Sequence, residues 1–115
     1  MYLTVIIPTR NRSSLLEAAL KSFIYQCLPK NEFEVVIVDN GSTDNTAQVI
    51  SSYKINFSEM TTSYASEPGL HTGRHAGMTH AKGDILVFAD DDIEALPTWL
   101  ASIKECFSDS SVAMV

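Results

Sequence analysis

The sequence predicts an α/β fold, a three-layer, mostly parallel, doubly wound sheet. Two observations carry that expectation. Short runs rich in β-branched residues recur at Leu3 to Ile7, Phe33 to Val38 and Ile85 to Phe88, each closing on polar residues, as strands buried on both faces of a parallel sheet do. Between them, apolar residues repeat at helical spacing, and strands alternating with helices join by right-handed crossovers into a parallel sheet.

The first run, Leu3-Thr4-Val5-Ile6-Ile7, is closed by Pro8-Thr9-Arg10-Asn11 and reads as a strand entering a loop. Leu15, Leu16, Ala19, Leu20, Phe23, Ile24 and Cys27 then make one apolar stripe of a helix, with Glu17, Lys21 and Gln26 on other faces. Asn11 or Ser13 is its expected cap, Ser14 with Glu17 matches a capping box, and Pro29 discourages continuation. The second strand, Phe33 to Val38, ends on Asp39. Asn40-Gly41-Ser42-Thr43-Asp44-Asn45 is dense in turn and cap residues, after which Thr46, Val49, Ile50 and Tyr53 resume helical spacing. Within 54–66 only Thr61, Thr62 and Tyr64 favour a strand, short and near an edge. A helix carrying Arg74 is expected from Leu70 to Lys82, ended by Gly83. The run from Ile85 breaks off at Asp90-Asp91-Asp92. A last helix has Pro97 in its first turn and Leu96, Leu100, Ile103 and Phe107 on its apolar face, with Trp99 beside it, and Val112 to Val115 begins another strand.

At 115 residues and 45% hydrophobic content the chain is expected to form one domain with its own core. A net charge of -6 and a pI near 4.8 argue against a nucleic-acid partner, whose phosphates require a basic face. No stretch is long enough to span a membrane, and the N-terminus enters a strand directly, so neither a transmembrane segment nor a signal peptide is expected. The expected location is cytoplasmic, or peripheral at the cytoplasmic membrane face. Cys27 and Cys106 fall among apolar helix positions and are expected as buried thiols in a reducing compartment.

Three adjacent carboxylates repel one another, and a divalent cation relieves that repulsion. Magnesium or manganese suits such an oxygen-rich site, held by one or two carboxylates together with the phosphates of a substrate. A solvated acidic loop is the simpler alternative for this stretch taken alone. In a doubly wound sheet, ligands bind beyond the carboxyl ends of the strands. Pro8-Thr9-Arg10, Asp39-Asn40-Gly41-Ser42 and Asp90-Asp91-Asp92 would all lie along that edge. Carboxylates, a metal, and Arg10 or Arg74 as a cationic clamp together suit a phosphorylated ligand. Asp39 could accept hydrogen bonds from a base or sugar edge, or serve as a turn carboxylate.

Three segments, taken in order and spacing, resemble the nucleotide-binding half of family 2 glycosyltransferases: Val5-Ile6-Ile7-Pro8-Thr9-Arg10-Asn11-Arg12, Val36-Ile37-Val38-Asp39-Asn40-Gly41-Ser42-Thr43-Asp44, and Gly83-Asp84-Ile85-Leu86-Val87-Phe88-Ala89-Asp90-Asp91-Asp92. The resemblance covers essentially the whole chain. It implies a GT-A, Rossmann-like fold, truncated to its donor-binding part, with a UDP-sugar favoured as the nucleotide-diphosphate donor and a saccharide or lipid-linked acceptor. It further implies that Pro8, Thr9 and Arg10 line the nucleotide pocket, that Asp39 contacts the base, and that Arg74 approaches the donor. Asn40 stands where the family more often has a second aspartate. The family's Asp-x-Asp signature would fall on Asp90 and Asp92, with Asp92 as the ligand of Mn2+ or Mg2+ and Asp90 or Asp91 toward ribose and diphosphate, although the triple aspartate leaves the register open by one residue. Inverting transfer implies a general base on the acceptor hydroxyl, expected beyond Val115 together with the acceptor site. Self-association through an exposed sheet edge is a further expectation.

Other readings fit less well. A dehalogenase-type phosphatase also has an apolar strand followed by Asp-x-Asp, but that motif follows a first strand, and Glu94 stands where that family has Thr or Val. A nicotinamide-binding domain lacks its glycine fingerprint here. A non-catalytic binding or assembly module remains the alternative from another class. His71, His75 and His80 have no cysteine or carboxylate to complete a zinc set and are expected at the surface.

Overall fold

A computed structural model of the chain describes residues 2–64 and 82–107. It contains the strands β1 (Leu3–Thr9), β2 (Phe33–Asp39), β3 (Met60–Tyr64) and β4 (Ile85–Phe88) in the order β3-β2-β1-β4, every neighbouring pair parallel. The helices among the described residues are α1 (Ser13–Ile24), α2 (Thr46–Tyr53) and α3 (Trp99–Phe107), with short 3-10 turns at Lys30–Glu32 and Lys54–Asn56. The expected α/β fold with a parallel sheet is therefore present, and β3 is an edge strand as its sequence suggested. The helix expected over Leu70 to Lys82 and the strand over Val112 to Val115 lie outside the described residues, as do Arg74, His71, His75 and His80.

Strand alternation sorts the core by face. Leu3, Val5, Ile7, Val35, Ile37, Ile85 and Val87 share one buried cluster with Leu16, Leu20 and Phe23 of α1, Val49 and Ile50 of α2, and Leu100, Ile103 and Phe107 of α3. On the opposite face Ile6, Val36 and Val38 form a smaller cluster against which Leu86 and Phe88 pack. β4 is thus fully buried on one face only, because Leu86 and Phe88 keep part of their surface exposed. Phe23 stands 5.9 Å from Trp99, ring centre to ring centre, and joins α1 to α3.

Several local expectations need correction. Helix α1 closes at Ile24 with Tyr25 as its C-terminal cap, so Cys27 leaves the helical stripe; its N–H donates to Pro97 O at 2.7 Å and its side chain is exposed. Cys106 is exposed as well, because the buried stripe Leu100, Ile103 and Phe107 leaves it on the solvent side of α3. Both thiols are free rather than buried. Leu15 and Leu96 are exposed, Leu96 because it precedes the first turn of α3. The cap of α1 is Arg12, without a side-chain hydrogen bond, so neither Asn11 nor Ser13 caps it. Gln26 does more than occupy a polar face. Its Nε2 donates to Leu96 O at 2.8 Å and its Oε1 accepts from Leu100 N at 3.0 Å, while Ser22 Oγ accepts from Ala95 N at 3.0 Å. These bonds fasten the chain leaving the aspartates to α1.

A buried carboxylate organises the other end of the sheet. Glu34, 1% exposed, accepts at Oε2 from the Thr4 hydroxyl at 2.6 Å and from Lys82 N at 2.7 Å, and Thr4 Oγ1 in turn accepts from Gly83 N at 2.8 Å. This chain of bonds sets the entry to β4 against β1 and β2. Only glycine fits at 83, because a Cβ there would stand 2.7 Å from Thr4 N and 2.8 Å from Tyr2 O. Burial raises the Tyr2 phenol above its ordinary value, and the charges of Glu59 and Glu34 raise it further.

Glu34→Ala leaves the Thr4 hydroxyl and the Lys82 N–H without their acceptor and is expected to cost about 2–5 kcal/mol of stability, whereas Glu34→Gln, which keeps one acceptor oxygen, should cost less. Urea unfolding measures both, and an alanine variant as stable as the parent would show that the carboxylate does not hold β4.

Candidate functional site

Parallel register decides what meets at the carboxyl edge of the sheet. Thr9 pairs with Asp39 across β1 and β2, and Asp39 with Tyr64 across β2 and β3. The ladder between β1 and β4 ends with Ile6 opposite Phe88, and Ala89 N still donates to Ile6 O at 2.9 Å. The same offset carried onward brings Asp91 beside Thr9, whose hydroxyl donates to Asp91 Oδ2 at 2.9 Å. Asp91 is 6% exposed, and its other oxygen accepts from Arg12 Nη1 at 3.3 Å. Asp90 and Asp92, on either side, are exposed and have no hydrogen-bond or ion-pair partner among the described residues.

An open cleft of about 520 Å³ lies at this edge, lined by Pro8, Thr9, Arg10 and Arg12 after β1, by Asn40 after β2, and by Asp90, Asp91 and Asp92 after β4. That volume lies within the range of small-molecule sites. Six residues singled out from sequence are thereby brought together: Pro8, Thr9, Arg10, Asp90, Asp91 and Asp92. Asp39 is set back from them. It is buried, it does not line the cleft, and its Oδ1 accepts from Ser42 N at 2.9 Å. That bond closes a turn through Asn40 and Gly41, and Gly41 has a φ of 77°, where a side chain would be strained. No group of three His, Cys, Asp or Glu side chains forms a self-sufficient metal cage among the described residues.

The sequence pattern did not single out Arg12, nor Asn40 as a cleft residue. Arg12 carried a usable signal, as a second cation two residues after Arg10 in the loop leaving β1. In the sequence Asn40 is placed on this edge only as part of the segment Asp39 to Ser42, without a role of its own. The residue is 5% exposed, and its Oδ1 is buried with no hydrogen-bond partner among the described residues.

The loops after β1 and β2 are laced together. Asn11 adopts a φ of 51°, which asparagine tolerates better than most residues. Its Oδ1 accepts from Thr43 N at 2.7 Å and Asp44 N at 3.3 Å, while its N–H donates to Ser42 Oγ at 3.0 Å. Asp44 answers by accepting from Ser13 N at 3.3 Å and from Thr46 N at 3.0 Å, and it also accepts from the Thr46 hydroxyl. One carboxylate thus serves the first turns of both α1 and α2. Its pKa is held below the ordinary 3.8, chiefly by the Thr46 hydroxyl; desolvation opposes this, and the backbone N–H groups of Thr46 and Ser13 reinforce it.

The sheet and the cleft define a class, a GT-A-type α/β domain with an open cleft at the carboxyl ends of its parallel strands. Residues 4–115 match the model of the family described as Glycosyl transferase family 2, and the chain belongs to that family. It is 29% identical over 115 residues to the glycosyltransferase AglE of Haloferax volcanii, covering 99% of this chain and 38% of that protein. It is 35% identical over 117 residues to the poly(ribitol-phosphate) beta-N-acetylglucosaminyltransferase TarS of Staphylococcus aureus, covering 95% of this chain and 20% of that one. Among solved structures, S. aureus TarS 1-349 in complex with UDP-GlcNAc superposes with a TM-score of 0.83 at 31% identity, over 91% of this chain and 30% of that chain. The mannosyltransferase PcManGT from Pyrobaculum calidifontis, in complex with GDP-Man and Mn2+, gives 0.86 at 31% identity, over 96% of this chain and 33% of that chain. The chain therefore spans between a fifth and two fifths of the length of these relatives.

Two expected outcomes follow from the laced loops. Asn11→Gly should keep the backbone angle and lose the side-chain acceptor, while Asn11→Ala loses both, so unfolding free energy should fall in the order parent, glycine, alanine, with alanine costing about 1–3 kcal/mol. Equal stabilities in denaturant would contradict this. Because the Asp44 pKa is lowered in the fold, its stabilisation is fully present above the ordinary 3.8 and fades as pH falls through the lowered value. The acid limb of a thermal-melt profile should therefore flatten in Asp44→Asn, and an unchanged limb would speak against the contribution.

Proposed function

We propose that this chain supplies the donor side of a glycosyltransferase, binding a nucleotide-diphosphate sugar at the cleft with Mn2+ or Mg2+. The observation that carries the reading is the convergence, in a family 2 chain, of the Pro8-Thr9-Arg10-Arg12 loop, Asn40 and the three aspartates at one edge of the sheet. Cations and polar groups at strand ends suit a diphosphate. A UDP-sugar is favoured, supported by the relative solved with UDP-GlcNAc; another was solved with GDP-Man and Mn2+, so a guanosine donor is the rival.

The exposed pair Asp90 and Asp92 suits a divalent ion in the mode that uses one or two carboxylates and leaves the rest of the shell to phosphate oxygens and water. In this reading Asp92 is the principal ligand and Asp90 the second. When bound, the ion would neutralise charge on the diphosphate leaving group. The chain's own residues orient the donor: Pro8 and Thr9 form the pocket wall, Arg10 and Arg12 oppose the phosphates, and Asp39 holds the turn that presents Asn40. A direct contact of Asp39 with the base, and an approach of Arg74 to the donor, belong to the same proposal. Transfer with inversion needs a general base on the acceptor hydroxyl. Base and acceptor site are assigned to sequence corresponding to the rest of the longer relatives, and a cytoplasmic location suits a nucleotide-sugar donor.

Thermal melts with UDP, GDP and TDP, each with and without Mn2+, test this. Stabilisation by one nucleotide only when the metal is present is expected, about 2.7 kcal/mol at a hundredfold excess over Kd, and it should be lost in Asp92→Asn. No shift with any nucleotide and metal would refute a donor site.

A further inference from the structure

Building on the donor-site reading above, we propose that the three aspartates have separate roles, in which Asp91 is a positioning residue that holds the Arg12 guanidinium in the cleft, while Asp90 and Asp92 face the cation. Both Asp91 oxygens are taken inside the protein, Oδ2 by the Thr9 hydroxyl at 2.9 Å and Oδ1 by Arg12 Nη1 at 3.3 Å. The Asp91 side chain is 8% exposed. A buried carboxylate with both oxygens engaged is poorly placed to enter a metal's shell. Its neighbours are exposed and without partners among the described residues.

Register explains the division. Carrying the β1–β4 offset past Phe88 puts Asp91 beside Thr9, in the turn that follows the end of β4. There Asp91 is bonded to Thr9 and Arg12 on the chain leaving β1, while the residues before and after it stay exposed. Charge fits the same assignment. Arg12 offsets the charge of Asp91, the carboxylate it touches, and leaves the carboxylates of Asp90 and Asp92 without a bonded cation among the described residues.

The two arginines of the cleft are unequal for this reason. Arg10 is exposed and has no tether among the described residues, whereas Arg12 is anchored at one nitrogen to a buried carboxylate, with half of its side chain still exposed at 53%. A guanidinium has five N–H donors in a fixed fork, so binding Asp91 through one leaves others for phosphate oxygens. Restricting the side chain beforehand reduces the ordering that binding would otherwise require. Arg12 is thus the preorganised phosphate cation of the cleft, and Asp91 acts through it.

The test is UDP binding followed by calorimetry across a Mn2+ titration, with thermal melts establishing that each variant is folded. Arg12→Ala is expected to weaken UDP binding on the order of 10- to 100-fold without changing the Mn2+ concentration that gives half of the effect. Arg12→Lys should recover part of the loss. Asp91→Asn should weaken UDP in the same way, yet add little in the Arg12→Ala background, because the two act as one unit. Asp90→Asn and Asp92→Asn should instead raise the Mn2+ requirement and add fully to Arg12→Ala. If Asp91→Asn does not fold, Thr9→Val, which removes only the second tether, takes its place with the same expected pattern. The proposal fails if Arg12→Ala binds UDP like the parent, or if Asp91→Asn shifts the Mn2+ requirement as Asp92→Asn does. A parent that binds no nucleotide with Mn2+ removes the donor-site reading itself, so the two failures are distinguishable.

Discussion

The structure depends first on the register of β4 against β1. Neither the aspartates nor the loop after β1 makes a site alone; they make one because Leu3 lies opposite Ile85 and Ile6 opposite Phe88. A slip of one residue would turn Asp91 away from Thr9 and exchange the faces of Leu86 and Val87, taking a core residue out of the main cluster. The register is held from both ends. At the amino edge Glu34 and Thr4 grip Lys82 and Gly83, and at the carboxyl edge Thr9 grips Asp91. Between them the apolar side chains of β4 fill the core. Polar bonds thus fix the alignment while hydrophobic burial supplies most of the stability.

Around this edge, the two loops that frame the cleft are tied to each other, while several of the side chains lining it are exposed. Asn11, Ser42 and Asp44 bind one another's backbone across two loops, and Asp39 is occupied in its own turn. Arg10, Asp90 and Asp92 are exposed. Such framing limits the entropy that loops would otherwise lose on ordering. The frame also explains the backbone strain. A left-handed asparagine at 11 persists because four hydrogen bonds to the neighbouring loop over-determine it.

Much of this was legible in the sequence, and the rest failed for identifiable reasons. β1, β2 and β4 announced themselves because buried parallel strands are nearly continuous apolar runs, and their ends predicted the edge at which Pro8, Thr9, Arg10 and the aspartates meet. Helical periodicity located α1, α2 and α3 but not their limits. Cys27 kept the spacing of α1 after the helix had closed, so the pattern continued where the backbone did not. Leu96 failed the same way at the start of α3. Long-range polar partners left no periodic trace. Nothing local in Phe33-Glu34-Val35 says that Glu34 is fully buried, because its justification lies at Thr4 and Lys82. The pairing of Arg12 with Asp91 was equally invisible, since it depends on register rather than on spacing.

Asn40 shows how a single uncharged side chain fits this electrostatic arrangement. It stands where the resemblance to family 2 more often places an aspartate, beside Asp39 and in the cleft that already holds three carboxylates. A further buried carboxylate there would add repulsion and a desolvation cost, whereas an amide brings no charge. The amide carries a different cost, because its Oδ1 is buried without a hydrogen-bond donor among the described residues, and an unpaired buried acceptor costs about 1–3 kcal/mol. Asp39 meets its own requirement within the turn, through Ser42 N. The unmet hydrogen bond at this end of β2 therefore belongs to Asn40, and it lies at the cleft rather than in the core.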